Sequence, residues 1–248
     1  MEKQDSRQAI QDATRSRASF SGHGKAKGAK GYVSDTDDSS VDFLGTTGDT
    51  TIFQPQEGGF GKIRIGAAWK PMRKPDESFF GKLLKRESDQ FVDLDLACMY
   101  EMKDGTKGAL QGFGKLFGNY DKPPYIKLSG DDRTGEDDDD VDGLDEYFLI
   151  NGQKWDEIKR LVVYLYIYDG AAHWAEITPQ VRVEVPNEKP MIVTLHTYKS
   201  ELCVCAVAEL ENVRGGIRMK NITEYYPGHP SLDRAFGFGL EWEDGSKD

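Results

Sequence analysis

Ile158–Tyr168 reads IKRLVVYLYIY. The run is rich in β-branched and aromatic residues and almost continuously apolar, the pattern of a central strand rather than of a half-exposed one. Working outward, Gln180–Val185, Met191–Thr197 and Leu202–Leu210 alternate apolar with polar residues, and turn residues such as Pro186-Asn187 and Lys199-Ser200 separate them. Gly215-Gly216 marks a further turn before Ile217–Ile222. On the N-terminal side, Lys62–Trp69 places Ile63, Ile65, Ala67 and Trp69 on alternate positions, the period of a half-buried strand. Phe91–Tyr100 repeats it, with Val92, Leu94, Leu96 and Cys98 on one face and Asp93 and Asp95 on the other. Ala109–Gly118, Tyr125–Leu128 and Tyr147–Ile150 add shorter strands, and Asn151–Lys159 has room for one helical turn. Met72–Gln90 reads as a polar loop. Regular short strands with few helical periods predict an all-β, mainly antiparallel fold, a β-sandwich.

The sandwich is expected over residues 57–248. Residues 1–56 read as a flexible, low-complexity tail. Its stretch GHGKAKGAKG, followed by SDTDDSS, has too little apolar surface to offset the entropy of ordering the chain, so the tail is expected to be disordered. The aromatic C-terminus, with Tyr225, Tyr226, Phe236, Phe238 and Trp242, reads as core or edge-covering packing in preference to a partner surface.

A formal net charge of −11 argues against nucleic acid or an anionic membrane as the main partner, because phosphates would be repelled. No apolar run approaches the roughly 20 residues that span a bilayer, and the N-terminus lacks the apolar core of a signal peptide. A cytoplasmic location is the default expectation, and any membrane association would run through partners. Cys203 and Cys205 are expected to be small buried residues sharing one strand face, without disulfide geometry. His23, His173, His196 and His229 are far apart, and there is no G-x-S-x-G, Walker loop or C-x-x-C, so no catalytic or cofactor-binding residue is expected.

The densest charge lies between two of the strands. Ser129–Glu146 reads SGDDRTGEDDDDVDGLDE, with Arg133 as its one basic residue. Carboxylates at this density repel, and such runs are usually solvated or unstructured. This run is anchored at both ends, and a tethered loop rich in Asp and Gly suits a hard cation: calcium takes six to eight oxygen ligands, and glycine lets the backbone fold around it. Asp138, Asp140, Asp142 and Gly143 match the opening of an EF-hand loop, but the twelfth position is Leu149 instead of a bidentate Glu, and strand follows instead of helix. The EF-hand reading fails, and a calcium loop between strands survives beside the plainer one of a solvated surface. Asp93 and Asp95, at i and i+2 of one strand, can present two carboxylates from a single face, or form an ordinary solvent-facing pair.

FVDLDLACMYE, SGDDRTGEDDDDVDGLDE, RLVVYLYIYD and QVRVEV, in this order, resemble the tellurium-resistance TerD family, and the ending YYPGHPSLDRAFGFGLEWEDGSKD resembles its TerA branch. The resemblance spans about Lys62–Glu211. It implies a calcium-binding β-sandwich of the cytoplasm, associated with tellurite and other stress responses. It also implies metal ligands at Asp93, Asp95, Asp131, Asp132, Glu136, Asp142, Asp145 and Glu146. After Glu136 this chain departs from the family pattern: extra acidic residues precede Asp142-Gly143-Leu144-Asp145-Glu146, and Leu144 stands where the family has an aspartate.

The function expected is therefore a calcium-binding, non-catalytic module of a tellurium-resistance or stress-response system. It would act through a metal-ordered surface on other proteins of that assembly, with Ca2+ as its cofactor. The alternative is a metal-assisted hydrolase using the same carboxylates, which needs an open coordination position and a neighbouring acid or base. No thiol-rich site is present to bind tellurite, so an indirect role is expected.

Overall fold

The computed structural model describes residues 33, 39–69, 72–75, 87–90, 93–112, 114, 116–129, 146–169, 174–195, 198–199 and 201–242. Its strands are β1 (Asp42–Phe43), β2 (Thr50–Phe53), β3 (Lys62–Ala68), β4 (Met72–Pro75), β5 (Glu87–Gln90), β6 (Asp93–Met102), β7 (Lys107–Leu110), β8 (Gly118–Asn119), β9 (Ile126–Leu128) and β10 (Glu146–Asn151). They continue with β11 (Ile158–Asp169), β12 (Gln180–Glu184), β13 (Met191–Thr194), β14 (Val204–Val213) and β15 (Gly216–Tyr226). A 3-10 helix covers Gly152–Glu157, and two α-helices follow, α1 (Trp174–Ile177) and α2 (His229–Phe236).

One sheet runs β1-β13-β12-β3-β10-β9-β8 and the other β2-β15-β14-β11-β6-β7. Every pairing in them is antiparallel except β1 with β13. The sandwich and its antiparallel character are as expected, and so is the place of β11, which pairs with β6 on one side and β14 on the other. Its continuous apolar run has a physical cause. Leu161, Val163, Leu165 and Ile167 enter the core between the sheets, where they meet Ile63, Ile65, Phe148, Ile150, Val181 and Val183 of the facing sheet. Val162, Tyr164 and Tyr166 point the other way, into a second apolar cluster with Ala97, Met99, Val204, Ala206, Leu232 and Phe238. Both faces of β11 are thus covered, the outer one by α2 and the segment after it.

That outer layer is the main feature the strand pattern did not disclose. Pro230 stands in the first turn of α2, where a missing N–H costs nothing, and Gly237 ends the helix at φ 68, a left-handed conformation that favours glycine. The C-terminal aromatic residues are packing residues, as expected: Tyr225 belongs to the inner core, Phe238 to the outer cluster, and Trp242 packs against the latter. The β14–β15 hairpin turns at Arg214 (φ 54) and Gly215 (φ 85), the two positive φ values of a type I′ turn, in the place where Gly215-Gly216 indicates one.

Three expectations are corrected. The stretch Met72–Gln90 is not simply a polar loop, since β4 and β5 pair within it as a two-stranded sheet. Cys203 precedes β14 and packs against the outer cluster while Cys205 sits in the inner core, so strand alternation does not put them on one face. Both are free thiols, and burial raises the pKa of each. The boundary at residue 57 also lies too late. Strand β1 extends the first sheet, β2 extends the second, and Val41, Leu44 and Phe53 are buried. Two- and four-residue strands are too short to show a period, which is why the segment reads as tail. The stretch GHGKAKGAKG lies outside the described residues.

Asn221 ties that early segment down. Its side-chain amide donates to Leu44 O at 2.8 Å, its Oδ1 accepts from Thr223 N and Thr223 Oγ1, and its backbone exchanges bonds with Gly48 and Asp49. Asn221→Ala would leave a buried carbonyl without its donor and should cost about 1–3 kcal/mol. Urea denaturation measures this, and a midpoint equal to that of the wild type would mean the early strands contribute nothing to the sandwich.

Candidate metal centre

The acidic run leaves the first sheet after β9 and returns to it at β10. Ser129 marks one end: its N–H donates to Tyr147 O at 2.8 Å and its Oγ accepts from Tyr147 N at 3.0 Å. Glu146 is the first residue of β10. Residues 130–145 lie outside the described residues, and with them the expected ligands Asp131, Asp132, Glu136, Asp142 and Asp145.

The other half of the expected site is on β6. Leu94 and Leu96 are buried in the core between the sheets, as the alternation requires, and Asp95 belongs to the opposite face with Ala97 and Met99. Asp95 is only 4% exposed, so it is not the solvent-facing residue of the plainer alternative. Its cross-strand neighbour on β11 is Tyr166. Its Oδ1 lies 3.9 Å from where a Cβ on Gly112 would stand, so the carboxylate reaches the turn at which β7 ends. Close by, Tyr164 donates its hydroxyl to Gln111 Oε1 at 3.1 Å. Burial, reinforced by the neighbouring Cys98 and Asp95, pushes the Tyr164 phenol well above its ordinary pKa.

Sheet topology joins the two halves. Strand β7 pairs with β6 only as far as Leu110 opposite Cys98, after which Gln111 turns away to bridge Leu116. Among the described residues, no strand pairs with that edge of β6 from Leu96 towards Asp93. Glu146 reaches it from the opposite sheet, and its Oε2 accepts from Leu96 N at 2.7 Å. The structure therefore brings Asp95 and Glu146, which are 51 positions apart, to one stretch of strand edge. Asp93 is placed by its backbone two residues farther along, paired with Asp169 at the end of β11.

Asp169 is a further acidic position that sequence reasoning did not single out, and its backbone pairs with that of Asp93. It closes the stretch RLVVYLYIYD, and its place opposite Asp93 depends on the β6–β11 register, which no spacing within either strand reveals.

No family model matches the chain. It is 38% identical over 188 residues to the tellurium resistance protein TerA of Alcaligenes sp, a match that covers 76% of this chain and 53% of that relative. The chain belongs to the tellurium-resistance family, in its TerA-like branch. This TerA-like chain spans about half the length of the curated relative it matches. Among its described residues no group of three or more His, Cys, Asp or Glu side chains is close enough to hold a metal, and no helix is long and apolar enough to cross a membrane. The donors expected in the site are all carboxylates, hard oxygen ligands of the kind calcium takes and zinc or copper sites seldom use alone.

Proposed function

We propose that the chain is a calcium-binding, non-catalytic module of a tellurium-resistance or stress-response system, acting through an interaction surface that the metal orders. The observation that carries this reading is the buried Asp95, next in the chain to Leu96, whose N–H donates to Glu146 where the acidic run rejoins the sandwich. Ten acidic residues occur from Asp131 to Glu146, with one arginine among them, in the stretch of sequence that ends at the start of β10. Carboxylates at this density in a sequence repel, and a divalent cation turns the repulsion into attraction. Asp93, Asp95, Asp131, Asp132, Glu136, Asp142, Asp145 and Glu146 are the residues that would hold or frame it. Calcium would supply charge neutralisation, drawing the run against β6 and giving that end of the sandwich a defined surface. The partners are other proteins of the same assembly, in the cytoplasm. Nucleic acid is not among them, because the net charge of −11 repels it.

Replacing both Asp93 and Asp95 with Asn removes two formal charges and almost no volume. A ligand that binds only the folded chain stabilises it by about 2.7 kcal/mol at a hundredfold excess over Kd. Calcium should therefore raise the melting temperature of the wild type clearly and that of the double variant little. The metal-free variant should be no less stable than the metal-free wild type, since burial of a carboxylate is relieved. Asp35→Asn with Asp37→Asn is the charge-matched control and should keep the full calcium shift. A wild type that shows no shift at millimolar calcium would overturn the reading, and a full shift in the Asp93/Asp95 variant would remove those two ligands from it.

A further inference from the structure

We propose that Gln180 is a backbone latch: its buried side-chain amide holds Val33 on the outer face of the first sheet, at a strap point that opens without disturbing either sheet. The ligand class such a seat takes is extended polypeptide, and its occupant is Val33 of the same chain. Calcium has no part in it.

Gln180 opens β12, whose residues Val181 and Val183 lie in the core between the sheets. Alternation therefore turns the Gln180 side chain to the other face, where a polar residue is ordinarily left to water. It is instead 3% exposed. An amide buried to this extent needs partners for its oxygen and for both of its N–H groups. Gln180 Oε1 accepts from Val33 N at 3.0 Å, while Nε2 donates to Val33 O at 2.8 Å and to Thr194 Oγ1 at 3.1 Å. Facing residues of an antiparallel ladder exchange N–H and C=O bonds in the same way. The Gln180 amide supplies that donor and acceptor from a side chain, and so reads the backbone of one residue whatever side chain that residue carries. Only one orientation of the amide serves, because the Val33 N–H needs the oxygen and the Val33 carbonyl needs the nitrogen. Thr194, the cross-strand neighbour of Gln180 on β13, takes the remaining amide proton and holds the group in place.

The two partners are 147 positions apart, and Val33 belongs to no strand. Two hydrogen bonds between neutral groups join them, whereas the Gln180 backbone is paired with Ala68 of β3 on one side and Thr194 of β13 on the other. Losing Val33 breaks none of those ladder pairings, so Val33 can leave while the strands beneath it stay together. The vacated amide then needs water or another extended backbone to satisfy it.

Hydrogen exchange on the full chain tests the latch at two amides. Val33 donates to it, and Leu195 donates to Pro179 O at 3.1 Å beside it and so reports the sheet. Gln180→Ala removes the latch, and Val33→Pro removes the Val33 donor while leaving Gln180 in place. The Val33 amide should be protected in the wild type and exchange at least about tenfold faster in Gln180→Ala, the scale of one hydrogen bond or more. The Leu195 amide should keep its wild-type rate in Val33→Pro. Trypsin should also cut after Lys30 faster in Gln180→Ala than in the wild type, because a protease draws in several residues beyond the cut and Val33 is the third of them. Equal Val33 exchange, or equal cutting at Lys30, in the wild type and Gln180→Ala would overturn the latch. Loss of Leu195 protection in Val33→Pro would overturn its independent opening, by making Val33 and the sheet one unit. Val33 protection that falls on dilution would put a second copy in the seat and overturn the assignment to the same chain.

Discussion

Replacing Asp233 with Ala should destabilise the chain by about 3 kcal/mol or more, several times the cost of an ordinary surface substitution. Asp233 is 3% exposed, and its carboxylate accepts three bonds from the segment after α2: from Gly239 N at 2.6 Å, Leu240 N at 2.7 Å and Trp242 Nε1 at 2.9 Å. Alanine would leave all three donors to find water or go unpaired. Those bonds hold the layer that covers Val162, Tyr164 and Tyr166 of β11. Arg160 anchors the same layer from below. It donates to Phe236 O at 2.9 Å, lies 4.4 Å from the centre of the Phe238 ring and pairs with Glu101, whose pKa is lowered by the Lys159 and Arg160 contacts. Urea denaturation followed by Trp242 fluorescence reports both stability and the seating of the layer. A companion chain ending at Pro227 removes α2 altogether and uncovers the outer cluster. Fully burying one large apolar side chain stabilises by about 1.5–3 kcal/mol, so the loss of Leu232 and Phe238 alone is on the order of 5 kcal/mol, comparable to the whole stability of a marginal domain. That chain should aggregate or fail to fold. If it is soluble with an unchanged urea midpoint, the outer layer is not part of the core.

Stability should also fall steeply on mild acidification, through one histidine. His229, the first residue of α2, stacks on Trp242 with ring centres 5.1 Å apart and meets Tyr164 and Tyr166 edge-on at 5.4 Å and 5.0 Å. Among the described residues its Nε2 has no hydrogen-bond partner. Burial in this aromatic setting pushes the imidazole down from 6.5 to about 4. The folded chain therefore holds His229 neutral through a range in which the unfolded chain protonates it. The contribution is fully present above the unfolded value near 6.5, declines as pH falls from there to about 4, and changes no further below that. Over that window the loss amounts to about 3 kcal/mol, at 1.36 kcal/mol per pH unit. His229→Phe keeps an aromatic ring against Trp242 and removes the titration, so its stability between pH 7 and 4 should fall less than that of the wild type by about that amount. Parallel pH profiles for the two proteins would mean His229 is protonated in the folded chain without penalty.

The acidic run, the strands that bracket it and the all-β character follow from the order of residues alone. A period of two, broken by glycine and proline, has one structural solution, and ten acidic side chains against one arginine are visible without any coordinates. The face assignment on β6 is also a property of the sequence, because alternation sends Leu94 and Leu96 one way and Asp95 the other. Alternation says which face a side chain takes, but not which strand lies alongside, because partners are chosen by loop closure and packing across many residues. Only the tertiary structure could therefore put Asp169 opposite Asp93, end β7 short of Leu96 and bring Glu146 from the other sheet to the Leu96 N–H. The same holds for the outer layer. The unbroken apolar run of β11 requires something on its second face, and what supplies it is an eight-residue helix beyond the strands, held there by Asp233 and Arg160. Strands β1 and β2, two and four residues long, carry no period at all, and their place in the sandwich exists only through their pairing with β13 and β15.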